Sequence, residues 1–166
     1  MKLALVGDIG GTNARFALWK KTTPWKNIQV LATADYACPE DAIQVYLSGL
    51  GLKPGAIGSV CLSVAGPVSG DEFRFTNNHW RLSNLAFCQT LQVEKLLLVN
   101  DFSAMALGMT CLRPDEYRVV CEGTPEPLRP AVVIGPGTGL GVGTLLDLGE
   151  GRFAALPGRA AMSTCP

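Results

Sequence analysis

The 166 residues, 48% hydrophobic and 17% charged, can bury one core and are too apolar for a disordered chain. Fourteen basic and 14 acidic residues cancel without a local Lys/Arg cluster, which excludes nucleic-acid binding by phosphate neutralisation. The longest apolar runs, such as 96–99 and 131–134, fall far short of a bilayer span, and Gly7-Asp8 interrupts the run after Lys2, so neither a membrane anchor nor a signal peptide is expected and a cytoplasmic chain is.

In chain order, the apolar run 3–7 ends at a glycine and reads as a buried strand. Residues 14–20 resume a strand after D-I-G-G-T-N, which predicts a hairpin, and 28–34 supply a third strand. Pro39 with Glu40 and Asp41 marks a helix start; Ile43, Tyr46, Leu47 and Leu50 follow at helical spacing, and Gly51 closes it. Residues 57–66 form the next buried strand and 71–76 a short one, with Asp71 and Glu72 as solvated turn charges. Ser83 caps a helix through Leu91, and 95–100 is a central strand. Asp101-Phe102-Ser103 opens an apolar helix expected to be buried, with Met105 and Met109 as core packing. Three prolines within 122–130 predict a linker.

The six cysteines, at 38, 61, 88, 111, 121 and 165, include no C-x-x-C pair, and His79 has no cysteine near it. Neither zinc nor a disulfide framework is expected; buried structural thiols are.

After the linker the plan of residues 4–18 returns in 131–147: an apolar strand, a glycine-rich turn with a threonine, and a second apolar strand. There is no Gly-Lys dipeptide, which excludes the P-loop. The glycine spacing does not give G-x-G-x-x-G, and both turns lead into strands, which excludes a Rossmann fingerprint. Two such hairpins, one with Asp8 and Thr12 and the other with Thr138, could hold a polyphosphate, because successive backbone N–H groups converge on an anion where no side chain intervenes. The competing reading is a pair of ordinary hairpin turns; the matching plan of the two runs favours phosphate.

V-G-D-I-G-G-T-N-A-R (6–15), T-N-N-H-W (76–80), V-N-D-F-S-A (99–104) and G-P-G-T-G-L-G (135–141), in this order, resemble the bacterial glucokinases. The resemblance implies an α/β, ribonuclease H-like (actin-like ATPase) fold, with a mixed sheet begun by an antiparallel hairpin. It divides the chain into a first domain (1–121), a linker (122–130), the start of a second such domain (131–158) and a tail (159–166). It implies ATP-dependent phosphorylation of glucose to glucose 6-phosphate, with Mg2+ as cofactor, glucose as partner, no nucleic acid or membrane, and a homodimer of the longer parent. Gly7, Asp8, Ile9, Gly10, Gly11, Thr12 and Asn13 would form the first phosphate loop and Gly137, Thr138 and Gly139 the second. Asp8 would also hold the metal through water. Asn100 and Asp101 would bind the sugar, with Asp101 as the base that accepts the hydroxyl proton. The alternative for Asn100-Asp101 is that the pair caps the following helix. His79-Trp80 matches a family motif, or it closes a loop over the core.

The sequence departs from the family after Pro157-Gly158, where a glucose-binding loop E-G-G-H is expected and Arg159 stands instead. Residues 159–166 can be encoded AGG GCG GCC ATG TCG ACC TGC CC; one added G regroups this as GAG GGC GGC CAT GTC GAC CTG CCC, which reads E-G-G-H-V-D-L-P. A frameshifted tail is therefore expected, and with it little or no kinase activity of this chain alone, because catalysis needs a second lobe to close. Another hexose or N-acetylhexosamine kinase of the same fold is the alternative. A non-catalytic product that binds ligand or a subunit weakly is a third reading.

Overall fold

A computed structural model describes residues 2–21, 23–124, 126–136 and 140–159, and in it the chain packs as two compact units, Met1–Asn100 and Asp101–Pro166. In the first unit, strands β1 (Leu3–Ile9), β2 (Asn13–Lys20), β3 (Thr23–Ala32), β4 (Ile57–Val64) and β7 (Lys95–Asn100) form one sheet in the order β3-β2-β1-β4-β7. The β3-β2-β1 edge is antiparallel, whereas β1, β4 and β7 run parallel. Side chains alternate across the sheet. Leu5, Ile9, Phe16, Val60, Leu62 and Val64 join a core completed by Ala42, Ile43, Tyr46 and Leu47 of α1 (Pro39–Gly49) and Phe87 and Leu91 of α2 (Asn84–Leu91).

Local chemistry sets the helix ends. Pro39 opens α1 with Glu40 and Asp41 in its first turn, and Gly51, at φ +69°, follows the last turn as expected. Ser83 caps α2: its Oγ accepts from the Ala86 N–H at 3.2 Å. Asp71 is not a merely solvated charge, because its carboxylate accepts from the Ser83 hydroxyl (2.8 Å) and the Leu85 N–H (3.1 Å). A carboxylate there also faces the positive end of the helix dipole.

Several boundaries differ from the sequence reading. β1 does not stop at Gly7 but continues to Ile9, because neighbours on both sides pair with its last residues. β3 begins at Thr23, pairs irregularly with β2 and gives way at Thr33–Asp35 to a single turn of 3-10 helix. The short strand expected over 71–76 is β5 (Glu72–Arg74), and its partner β6 (Arg81–Ser83) was missed. Three residues carry too little alternation to announce a strand, and the Phe73–Leu82 cross-strand pair, buried in the core, makes it one.

The second unit consists of α3 (Asp101–Met109) and the antiparallel sheet β10-β9-β8, formed by β8 (Ala131–Pro136), β9 (Leu140–Asp147) and β10 (Phe153–Arg159). Its buried core is small: Ala106, Val133 and Leu145, with Ala155 against them. α3 is not the buried helix expected from its composition. Met105, Leu107 and Met109 are exposed, so the two methionines are not core packing, and only Ser103 and Ala106 are buried. Val132, Ile134 and Leu156 of the outer strands are also exposed.

The thiols divide in the same way. Cys38, Cys61 and Cys88 are half-buried, but Cys111 and Cys121 are exposed, against the expectation that all are buried; Cys165 lies outside the described residues. Burial pushes the Cys38 thiol up to about 11 and raises that of Cys61.

Candidate functional site

The parallel strands of the first unit end together. Ile9 of β1 pairs with Val64 of β4, and Val64 with Asn100 of β7, so the turn after β1 and the Asn100 side chain belong to one edge. Two interstrand spacings separate β1 from β7, about 10 Å. In open α/β sheets this carboxyl edge is where ligands sit.

Gly7, Asp8 and Ile9 lie within β1, and Gly10–Thr12 form the turn. Gly7 is constrained by packing: a Cβ there would stand 2.8 Å from Leu62 Cδ2 and 2.9 Å from Phe16 Cδ1. Asp8 is opposite Arg15, and their side chains pair at 3.2 Å with both a little over half exposed. The turn closes through Gly10 N–H to Asn13 O at 2.9 Å.

Three carbonyls of this turn are held from outside it. Asn78 Nδ2 donates to Gly10 O (3.0 Å), the Thr33 hydroxyl to Gly11 O (2.9 Å) and the Thr33 N–H to Thr12 O (2.9 Å). A Cβ on Gly11 would meet Asn77 O at 2.8 Å, so the segment 76–80 closes directly over that glycine. Tyr36 O accepts from both His79 Nε2–H and Trp80 Nε1–H, each at 2.9 Å. Trp80 itself is fully buried, edge-on to Phe75. His79-Trp80 thus closes a loop, the second of its two readings. Thr33, Asn77 and Asn78 were missed as site residues. Asn78 lies inside a quoted motif, but Thr33 carries no local signal at all.

Asn100 Nδ2 donates to Gly66 O at 3.3 Å, and Thr76 Oγ1 to Ala65 O at 3.1 Å, which ties the ends of β4 and β7 to the approach of 76–80. Asp101 follows as the first residue of α3, and its Oδ1 accepts the Phe102 N–H at 2.9 Å. This bond runs to the next residue's N–H, whereas a helix N-cap side chain accepts from the second or third N–H beyond it. Gly137, Thr138 and Gly139 lie outside the described residues. Around them, Gly135, Gly141 and Gly143 have a packing role in the second unit. A Cβ on Gly135 would stand 2.8 Å from the Phe102 ring, and one on Gly141 or Gly143 would overlap Phe102 itself.

An antiparallel hairpin leading into a parallel sheet, with a glycine turn at its carboxyl edge, is the α/β arrangement of the actin-like ATPases, to which the sugar kinases that share this fold belong. The glucokinase family model matches residues 5–166, and the chain belongs to that family. It is 54% identical over 155 residues to the glucokinase of Pseudomonas paraeruginosa (strain DSM 24068 / PA7), a match that takes in 93% of this chain and 45% of that protein. The crystal structure of glucokinase from an Antarctic psychrotroph superposes with a TM-score of 0.79 at 30% identity, over 99% of this chain and 54% of that one. A ROK family glucokinase from Streptomyces griseus, in complex with glucose and AMPPNP, shares the fold at a TM-score of 0.58 and 22% identity, over 93% of this chain and 48% of that one. The chain thus spans about half the length of the relatives it matches.

Proposed function

We propose that this chain supplies the phosphate turn and the catalytic carboxylate of an ATP-dependent glucose kinase. The observation that carries this reading is the shared sheet edge, which brings the Gly10–Thr12 turn to the same level as Asn100, with Asp101 the next residue. Family membership supports it, as does the glucose and AMPPNP complex of the Streptomyces griseus relative.

In this reading the backbone of residues 10–13 binds phosphate oxygens, with Gly7, Asp8 and Ile9 leading into it and Gly137–Thr138–Gly139 as the second phosphate loop. Asn100, with an amide donor and acceptor, orients sugar hydroxyls. Asp101 accepts the proton of the attacking hydroxyl as its oxygen bonds to the γ-phosphorus, the bond from that phosphorus to the β–γ bridging oxygen breaks, and ADP leaves.

No three His, Cys, Asp or Glu side chains cluster among the described residues, so they form no all-protein metal cage. Asp8 fits Mg2+ differently: its exposed carboxylate offers hard oxygens, and Mg2+ is commonly held by one or two carboxylates plus substrate phosphates. Bound there, Mg2+ would neutralise phosphate charge. A cytoplasmic location, a place in glycolysis and a homodimer of the longer protein belong to the same reading.

We further propose that residues 159–166 are the frameshifted tail described above, following the linker 122–130 and the start of the second domain. Sequencing the coding DNA across and beyond codon 158 tests this; codons that cannot regroup into E-G-G-H would refute it. With the frame restored, a coupled assay for glucose 6-phosphate should give kinase turnover, and Asp101→Asn should lower it by about 10²–10⁴-fold. Turnover unaffected by Asp101→Asn would overturn the assignment of the base. Calorimetric binding of glucose or ATP without turnover would favour a non-catalytic binder.

A further inference from the structure

The residues that hold the first turn imply more than stability. Peptide bonds here are trans, so each C=O points opposite to the N–H of the following residue. Gly10 O is held by Asn78, Gly11 O by the Thr33 hydroxyl and Thr12 O by the Thr33 N–H. The N–H groups of Gly11, Thr12 and Asn13 are accordingly directed away from the groups that fix their peptide planes. Left alone, a glycine-rich turn can flip its peptides at little cost. This one cannot do so without giving up a hydrogen bond for each plane.

The two supports are also joined to each other. Thr33 begins the 3-10 turn whose next residue is Tyr36, and Tyr36 O accepts from His79 and Trp80, beside Asn78. Asn78 Oδ1 in turn accepts from the Trp80 N–H at 2.9 Å. The turn is thus gripped by one closed network that passes from Thr33 through Tyr36 and Trp80 to Asn78. Thr33 is 2% exposed, which shields its part of the grip from competing water.

We propose that Thr33 and Asn78 are positioning residues that aim the Gly11, Thr12 and Asn13 amides at the oxygens of a polyphosphate before it arrives. Preorganised amides avoid the reorganisation that a loose turn would undergo on binding. The inference rests on the reading of the turn as a phosphate site.

The test is a titration of the full 166-residue chain, 15N-labelled, with inorganic tripolyphosphate, followed amide by amide. In the wild type the Gly11, Thr12 and Asn13 resonances should shift and saturate together. Thr33→Val keeps the side-chain shape and removes the hydroxyl; Asn78→Ala removes the amide donor. Each should weaken tripolyphosphate binding at least about tenfold, the loss of roughly one oriented hydrogen-bond donor. Thr33→Ser, which retains the hydroxyl, should bind within about twofold of wild type by the same argument. A purely structural role would lower the melting temperature without changing the affinity.

If the wild-type amides of the turn do not respond, the phosphate reading itself fails, and this inference with it. If they respond and both variants bind as tightly as wild type, the phosphate reading stands and the positioning role is overturned. Should Thr33→Val lose its dispersed spectrum, Asn78→Ala, at a less buried position, decides the matter.

Discussion

The two strand–turn–strand segments share a plan in sequence, and their described glycines lie in different surroundings. Around the first, 21 described residues form a continuous core, and the turn is held by side chains that arrive from distant parts of the chain. Around the second, three described residues are buried as a core, and Gly135, Gly141 and Gly143 make room for one aromatic side chain on α3. A glycine repeat therefore records space as readily as it records a ligand. At the first turn the surrounding hydrogen bonds also point to an oriented backbone.

The largest expected effect breaks the first region. Trp80 is fully buried and its indole N–H serves Tyr36 O, so Trp80→Ala should cost about 3–5 kcal/mol in denaturant unfolding. Hydrogen exchange should show the loss across β1, β4 and β7. A cost below about 1 kcal/mol would mean that this core repacks freely and that the comparison between the two units is overstated.

A smaller effect is expected in the second region. Gly141→Ala places a methyl group onto the Phe102 ring and should cost about 1–3 kcal/mol, confined to α3 and β8–β10. Adding Phe102→Ala should relieve the clash, so that the double variant is more stable than the sum of the single costs predicts. Strict additivity would show that these glycines are not there for Phe102.

Most of the first unit was legible in sequence because its signals are local. The apolar run of β1, Pro39 with two acids, the Ser83 cap and the closing Gly51 each follow from chemistry within a few residues. The extension of β1 to Ile9 was not legible, since it depends on pairing with β2 and β4. The hairpin β5–β6 was half missed for the same reason. At the candidate site, the turn could be read from its glycines, whereas Asn100-Asp101 came from the family resemblance, the local pattern alone fitting a helix cap equally well. Thr33 could not, because it is 22 residues from the carbonyl it holds. The exposure of α3 was misread because apolar composition was taken for burial, although the helix buries only Ser103 and Ala106.

Thiol chemistry sharpens the contrast between the units. With Cys165 replaced by Ser, iodoacetamide should modify Cys111 and Cys121 first and Cys38 and Cys61 last, as read by peptide mass spectrometry, because the first two are exposed and burial raises the thiols of the other two. Burial also sets a pH dependence. The unfolded chain releases the Cys38 proton near its ordinary value of 9.0, whereas the folded chain retains it to about 11. Since the native state binds more protons between these values, this contribution to stability is intact below pH 9.0 and is lost as pH rises through about 11. Cys38→Ala should flatten that part of the curve, and an unchanged slope would count against the burial of this thiol.

The smallest effect concerns the pair at the entrance to the first turn. Asp8 and Arg15 meet at 3.2 Å across β1 and β2, each a little over half exposed, so solvent and salt screen their attraction. Arg15→Ala should therefore change stability by less than about 1 kcal/mol, an effect that shrinks further in 0.5 M salt, on the order expected for exposed pairs. This weakness suits the metal role proposed for Asp8. A carboxylate held by a strong ion pair could not turn to a magnesium ion, whereas one held this loosely can exchange Arg15 for Mg2+ at little cost. A loss above about 2 kcal/mol, insensitive to salt, would make Asp8 a structural anchor of the hairpin and count against its proposed metal role.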